Sequence, residues 1–197
     1  MRKELVALKQ ALAEVENHQL KVGKPIKSMH CGPKLTELEL ANFENKHGVE
    51  LSASYRSYLS NISNGSVGPG FGILPLQRWH AGLETVPESD QILRQPCLLR
   101  TDVAQAPYDW LDEVGPSDWE DKLNDGAWSP YQGCITLADL GCCSYYVISL
   151  NGPYSDRVWY VDHDFNPPKL RPEINFVAWL LAWATKFLDS QADSNLA

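Results

Sequence analysis

Asp162, His163 and Asp164 form the densest acid–base cluster in the chain. At the two-residue period of a strand both carboxylates would face one side, an arrangement that suits a hard divalent cation. The cluster runs straight into Asn166-Pro167-Pro168, a turn signal, so a solvated strand end explains the same residues. The five cysteines fall at 31, 97, 134, 142 and 143. His30-Cys31 and Cys142-Cys143 suggest zinc, yet no C-x2-C or H-x3-H spacing exists, and adjacent strand residues point to opposite faces. Small buried side chains account for these cysteines better. Gly68, Gly70 and Gly72 alternate as in a phosphate cradle. Here, however, the helix precedes the glycines and a strand-like run follows, the reverse of a dinucleotide fingerprint, and the Lys-Ser/Thr of a P-loop is missing. A tight backbone turn is the reading that remains. No G-x-S-x-G, H-E-x-x-H or kinase-like motif occurs. The expectation is therefore a chain that is not an enzyme, with no catalytic residue, no metal site and no cofactor.

A different chemistry stands out at residues 101–129. This stretch holds eight acids (Asp102, Asp109, Asp112, Glu113, Asp118, Glu120, Asp121 and Asp125) against Lys122 alone. Trp110, Trp119 and Trp128 are interleaved with them. Tryptophan is enriched at interface hot spots, and surrounding acids steer a basic partner and speed encounter. The competing reading is a loop whose tryptophans pin it to the body while its acids face water. The two are compatible, since one Trp can anchor while another binds. The candidate partner-binding residues are Asp109, Trp110, Asp112, Glu113, Asp118, Trp119, Glu120 and Asp121.

The elements that must position this segment are legible from period and punctuation. Leu5, Leu8, Leu12 and Val15 recur at helical spacing, which predicts an amphipathic helix over 2–17. Residues 19–34 read as a linker carrying Lys21, Lys24, Lys27 and Lys34 without an acid. Thr36 and Glu39 form a capping-box pattern opening a helix to about His47, ended by Gly48. A second helix carries Tyr55, Tyr58, Leu59 and Ile62 on one face and stops at Asn64-Gly65, giving an αα unit. Ile73-Leu74-Pro75-Leu76 reads as a short edge strand, because Pro75 cannot donate to a ladder. From Cys134 the pattern turns to β: runs at 134–137, 143–150 and 157–161, closely spaced and hence antiparallel. Phe176, Trp179, Leu180, Trp183 and Phe187 then predict an apolar helix over 175–189, expected to bury against Tyr145, Val147, Val158 or Tyr160.

A length of 197 residues suggests one domain with some elaboration, and 44% apolar with 21% charged residues is ordinary globular composition. No apolar run reaches a membrane span, and the first twenty residues lack a signal peptide's apolar core. These features predict a cytoplasmic protein with reduced thiols and no membrane partner. The net charge of −8 disfavours nucleic acid and favours a basic partner.

Taken in order, these stretches resemble the SUKH superfamily, which contains bacterial toxin-immunity proteins and fungal cell-wall-synthesis regulators. The resemblance is carried by Leu38 to Glu44 and Leu51 to Leu59, then Asn64-Gly65 with Gly68 to Leu76. It continues through Gly133 to Leu137, Gly141, Leu150 to Pro153, and Arg157-Val158-Trp159, and ends on Phe176, Trp179-Leu180 and Trp183. It covers roughly 36–188 and leaves 1–34 and the 101–129 insertion outside the shared core. Two positions depart from the pattern: Ser52 stands where the family favours proline, and Ser155-Asp156 replaces a common Arg-Gly. The resemblance implies a single α+β domain with a mainly antiparallel sheet flanked by helices, an N-terminal αα unit and a Trp-rich C-terminal helix. It also implies a non-catalytic immunity protein that binds and neutralises a cognate toxin. That toxin is expected to be a basic domain directed at nucleic acid, whose substrate charge an acidic blocker would mimic. The alternative it implies is a scaffold or regulator, for example of cell-envelope synthesis.

Overall fold

The computed structural model describes residues 2–21, 32–81 and 91–194. The 19–34 linker lies largely outside them, and so does the His30-Cys31 pair. Four strands form one sheet in the order β1-β2-β3-β4: β1 Cys134–Gly141, β2 Ser144–Ser149, β3 Val158–Asp162 and β4 Lys169–Leu170, every pair antiparallel. The tip between β1 and β2 is Cys142-Cys143, with φ of 48° and 58°. Positive φ at both central residues matches the right-handed twist of a hairpin, so this exposed pair makes a turn. β4 is two residues long and follows a Pro-Pro turn, too short to show a sequence period.

The edge strand expected at 73–76 does not form. Ile73 makes single bridges to Ser66 and Ala138, and the Leu74 N–H donates to the Leu137 carbonyl at 2.7 Å. Pro75 has no N–H to continue the ladder, and the chain turns into a 3-10 segment, Leu76–Arg78. Gly70 permits this docking. Its φ is 60°, and a Cβ there would lie 2.1 Å from the Asp139 carbonyl oxygen on β1.

Six α-helices surround the sheet among the described residues. α1 spans Arg2–Lys21, α2 Glu37–His47 and α3 Ala53–Asn61. The short α4, Asp109–Val114, and α5, Trp119–Asn124, lie in the acidic segment, and α6 spans Phe176–Ser194. The α2 capping box is complete: Glu39 N–H donates to Thr36 Oγ1 at 3.3 Å, and Thr36 N–H donates to Glu39 Oε2 at 2.7 Å. Gly48 ends the helix at φ 61°. α1 packs along α6 through Leu8, Leu12 and Val15, all buried, so the N-terminal helix closes on this chain's own core.

Strand register assigns the two faces. Tyr146 pairs with Tyr160 and Ile148 with Val158, so these share one face. α6 covers it, with Trp179 edge-on to Tyr146 at 5.1 Å. Phe176 packs against Tyr55 and Tyr58 of α3, each at 5.0 Å. The expected sheet contacts are thus shifted: the α6 tryptophan meets Tyr146, and Trp183 is only half-buried. The other face carries Val147, Trp159 and Val161, all buried, and the segment around Cys97 lies against it.

The two departures from the resemblance pattern touch each other. Asp156, at φ 66° in the β2–β3 connection, accepts from Ser52 Oγ at 2.7 Å and from Ser54 Oγ at 2.5 Å. Ser52 is the N-cap of α3, and its hydroxyl makes no cap bond of its own because it serves Asp156.

Candidate functional site

Residues 101–129 form a helical hairpin held from below by their own aromatics. Trp110 is fully buried, and its indole N–H donates to the Phe165 carbonyl at 2.9 Å. Leu111 is buried beside it. Trp119 is also buried, tilted against Trp128 with ring centres 6.4 Å apart, and donates from Nε1 to Asp112 Oδ1 at 2.7 Å. That bond ties α5 to α4. Burial of two indoles with their N–H groups satisfied is what gives six-residue helices, too short to persist alone, a fixed place. Trp110 and Trp119 therefore stand beneath the surface rather than on it.

The aromatic that does reach solvent is Tyr108, half exposed at φ 67°, packed on Phe165 at 5.5 Å. Sequence reasoning passed over it, since nothing distinguishes a tyrosine one residue ahead of a helix from one inside a loop. Its backbone N–H bonds the Phe165 carbonyl at 3.1 Å, which turns its ring outward beside Asp109.

All eight acids are exposed, but they divide by occupation. Asp112 holds Trp119. Glu113 accepts from the Ala104 N–H at 3.0 Å and pairs with Arg100 at 3.2 Å, while Asp102 lies 3.6 Å from the same guanidinium. Asp118 pairs with Lys122 one turn on at 3.0 Å, and that ammonium holds its carboxyl below the usual range. Asp109, Glu120, Asp121 and Asp125 have no ion-pair partner among the described residues. The result is a helical hairpin with net negative charge on a base fixed by buried indoles, which suits recognition of cations.

The Asp162–Asp164 cluster takes a different role. Asp162 is buried, and its carboxylate accepts from the Asn166 N–H and side-chain amide at 3.1 Å, organising the turn that follows β3. Tyr131 OH donates to its carbonyl at 2.6 Å. Asp164 is exposed, and His163 lies half-buried over Tyr145 at 5.3 Å. Among the described residues no group of three or more potential ligands converges on a metal position. None of the helices described is long and apolar enough to cross a membrane.

Fold and surface together define an α+β domain with an aromatic framework and an acidic helical face. The chain belongs to the SMI1 / KNR4 family (SUKH-1), whose model matches residues 34–181. A comparison with curated proteins finds no match. The bounds of the matched span enclose residues 101–129.

Proposed function

We propose that this chain is an immunity protein that binds a cognate toxin and blocks it without catalysis. The observation that supports this reading is the hairpin of α4 and α5: four exposed carboxylates without an ion-pair partner among the described residues, and an exposed Tyr108, on a base fixed by two buried tryptophans. Charges of one sign on a preorganised surface raise the encounter rate with a partner of the other sign, and an aromatic at their edge supplies apolar contact. A basic, nucleic-acid-directed toxin domain fits that chemistry. Family membership supports a role of this general type.

The test has two parts. Tagged protein is purified from its native cells at low and moderate salt, and bound proteins are identified by mass spectrometry. One dominant partner carrying a basic toxin-like domain supports immunity; several substoichiometric partners support a scaffold. The partner is then measured against a variant with Asp109, Glu120, Asp121 and Asp125 changed to lysine. Those four make no side-chain hydrogen bond or ion pair among the described residues, unlike Asp112 and Glu113, and because Asp109, Glu120 and Asp121 lie in the first turns of α4 and α5, circular dichroism of the variant checks that the fold is kept. Weaker binding with a flatter salt dependence is the expected result. Unchanged affinity and unchanged salt dependence remove this face from the interface.

A further inference from the structure

Gly133, at φ 69°, lets two backbones approach closely: a Cβ there would lie 2.6 Å from the Gln95 carbonyl oxygen and 3.1 Å from Cys97 Cα. The approach is locked by bonds on both sides. Gly133 N–H donates to the Ile92 carbonyl at 3.0 Å, Gln132 Nε2 to the Pro96 carbonyl at 2.9 Å, and Cys97 N–H to Asn151 Oδ1 at 2.7 Å. One residue beyond Gly133 is Cys134, and its sulfur lies 3.5 Å from that of Cys97. Both thiols are free. A disulfide requires the sulfurs to close by about 1.5 Å, a distance that χ1 adjustments can cover when the backbones are already this near.

We propose that Cys97 and Cys134 form a reversible intramolecular disulfide when the protein meets a peroxide, making this pair an oxidative modification site. Cys97 is the half-buried member and Cys134 the fully buried one, so oxidant reaches Cys97 first. The hydrogen bond between the two sulfurs holds the Cys97 thiol below its ordinary pKa, while burial pushes Cys134 up. Cys97 is thereby the nucleophile and Cys134 the resolving thiol. The Cys97 thiolate attacks one peroxide oxygen; the O–O bond breaks, and the departing hydroxide takes a proton to leave as water, giving a sulfenic acid. The Cys134 sulfur then attacks the Cys97 sulfur. The S–S bond forms, the S–O bond breaks, and the hydroxide leaves with the Cys134 proton as a second water. Two thiols are oxidised by two electrons and one peroxide is reduced.

The crosslink would bolt residues 91–97 to the start of β1. That segment walls a cleft of about 440 Å³ whose other side is Gly126, Ala127 and Trp128, at the end of the acidic hairpin. Three residues past Cys97, Arg100 pairs with Glu113 of that hairpin. Oxidation therefore stiffens the support of the acidic face, whatever partner that face takes.

The experiment is a thiol count on the intact protein before and after hydrogen peroxide, followed by alkylation, digestion and mass spectrometry. Five thiols fall to three, with one crosslinked peptide joining Cys97 to Cys134, and dithiothreitol restores five. The Cys142→Ser/Cys143→Ser double variant, changed only at an exposed turn, starts at three and falls to one. Cys97→Ser loses the crosslink, and Cys134→Ser loses it and lets the Cys97 sulfenic acid go on to the sulfinic acid. In the parent, sulfinic acid at Cys97 without a crosslink, linkage of Cys97 to a cysteine other than Cys134, or five thiols surviving treatment would each overturn the proposal. None of these outcomes depends on the identity of a partner.

Discussion

Replacing Asp156 tests whether one hairpin carboxylate anchors the start of α3. Its Oδ1 accepts from Ser52 at 2.7 Å and Ser54 at 2.5 Å, and Ser54 is 2% exposed. Hydrogen bonds to a charged group are worth about 1.5–3 kcal/mol, and a buried hydroxyl left without its acceptor adds a desolvation cost. Against this stands the backbone: φ 66° strains any residue with a Cβ by about 1–2 kcal/mol relative to glycine. Asp156→Ala loses both bonds and keeps the strain, so it is expected to destabilise by at least about 3 kcal/mol. Asp156→Gly loses the same bonds and sheds the strain, and should be about 1 kcal/mol more stable than the alanine variant. Asp156→Asn, which keeps an acceptor and tolerates this φ, should fall closest to the parent. The assay is urea unfolding with a common m-value. A Ser52→Ala/Asp156→Ala cycle then measures the coupling, expected above about 0.5 kcal/mol. A glycine variant less stable than the alanine variant, or strictly additive single changes, would refute the anchoring argument. Ser52 has φ −57°, a value proline adopts. Ser52→Pro with Asp156→Gly is therefore compatible with the backbone and should recover part of the loss of Asp156→Gly alone.

Trp110→Ala should lower stability by about 3–5 kcal/mol, read as a shift in the urea midpoint, because it empties a fully buried site and removes one of the two donors to the Phe165 carbonyl. Gly70→Ala should reduce the melting temperature sharply, since its Cβ would collide with the Asp139 carbonyl and its φ penalises any side chain. Acidification should loosen α2 specifically. The Thr36 N–H and then its hydroxyl hold the Glu39 carboxyl below its ordinary pKa, so its contribution is complete above the unfolded-state value and is lost as pH falls through the folded one. Amide exchange in the first turn of α2 should therefore rise below the ordinary carboxyl range in the parent and stay flat in Glu39→Gln.

The framework was legible because its signals are local. The capping box at Thr36 and Glu39, the apolar spacing of Leu8, Leu12 and Val15, and the β-branched runs after Cys134 each depend on residues a few positions apart, and each became the element expected. What escaped depends on distant residues. Ile73-Leu74 has a strand's composition, but pairing that lasts only one bridge was decided by Pro75 and by where Gly70 lets the loop dock. Trp110 and Trp119 carry the composition of a hot spot, and only the position of Phe165 and Asp112 reveals that their N–H groups are already used. Ser52 and Asp156 looked like two unrelated departures until the fold placed their side chains in contact.

The acidic hairpin shows why composition alone could not sort its residues. A carboxylate that holds an indole and one that faces only water have the same side chain and the same net effect on pI. Their physics differs. Asp112 spends its lone pairs on Trp119, so its charge is offset locally and its loss would loosen α5. Asp109, Glu120, Asp121 and Asp125 make no side-chain hydrogen bond or ion pair among the described residues, and their fields extend until salt screens them, about 8 Å at physiological ionic strength. Opposite charge on a neighbour within that range is where a surface of this kind gains specificity. Burial of the two tryptophans holds the helices in place against the mutual repulsion of the like charges they carry.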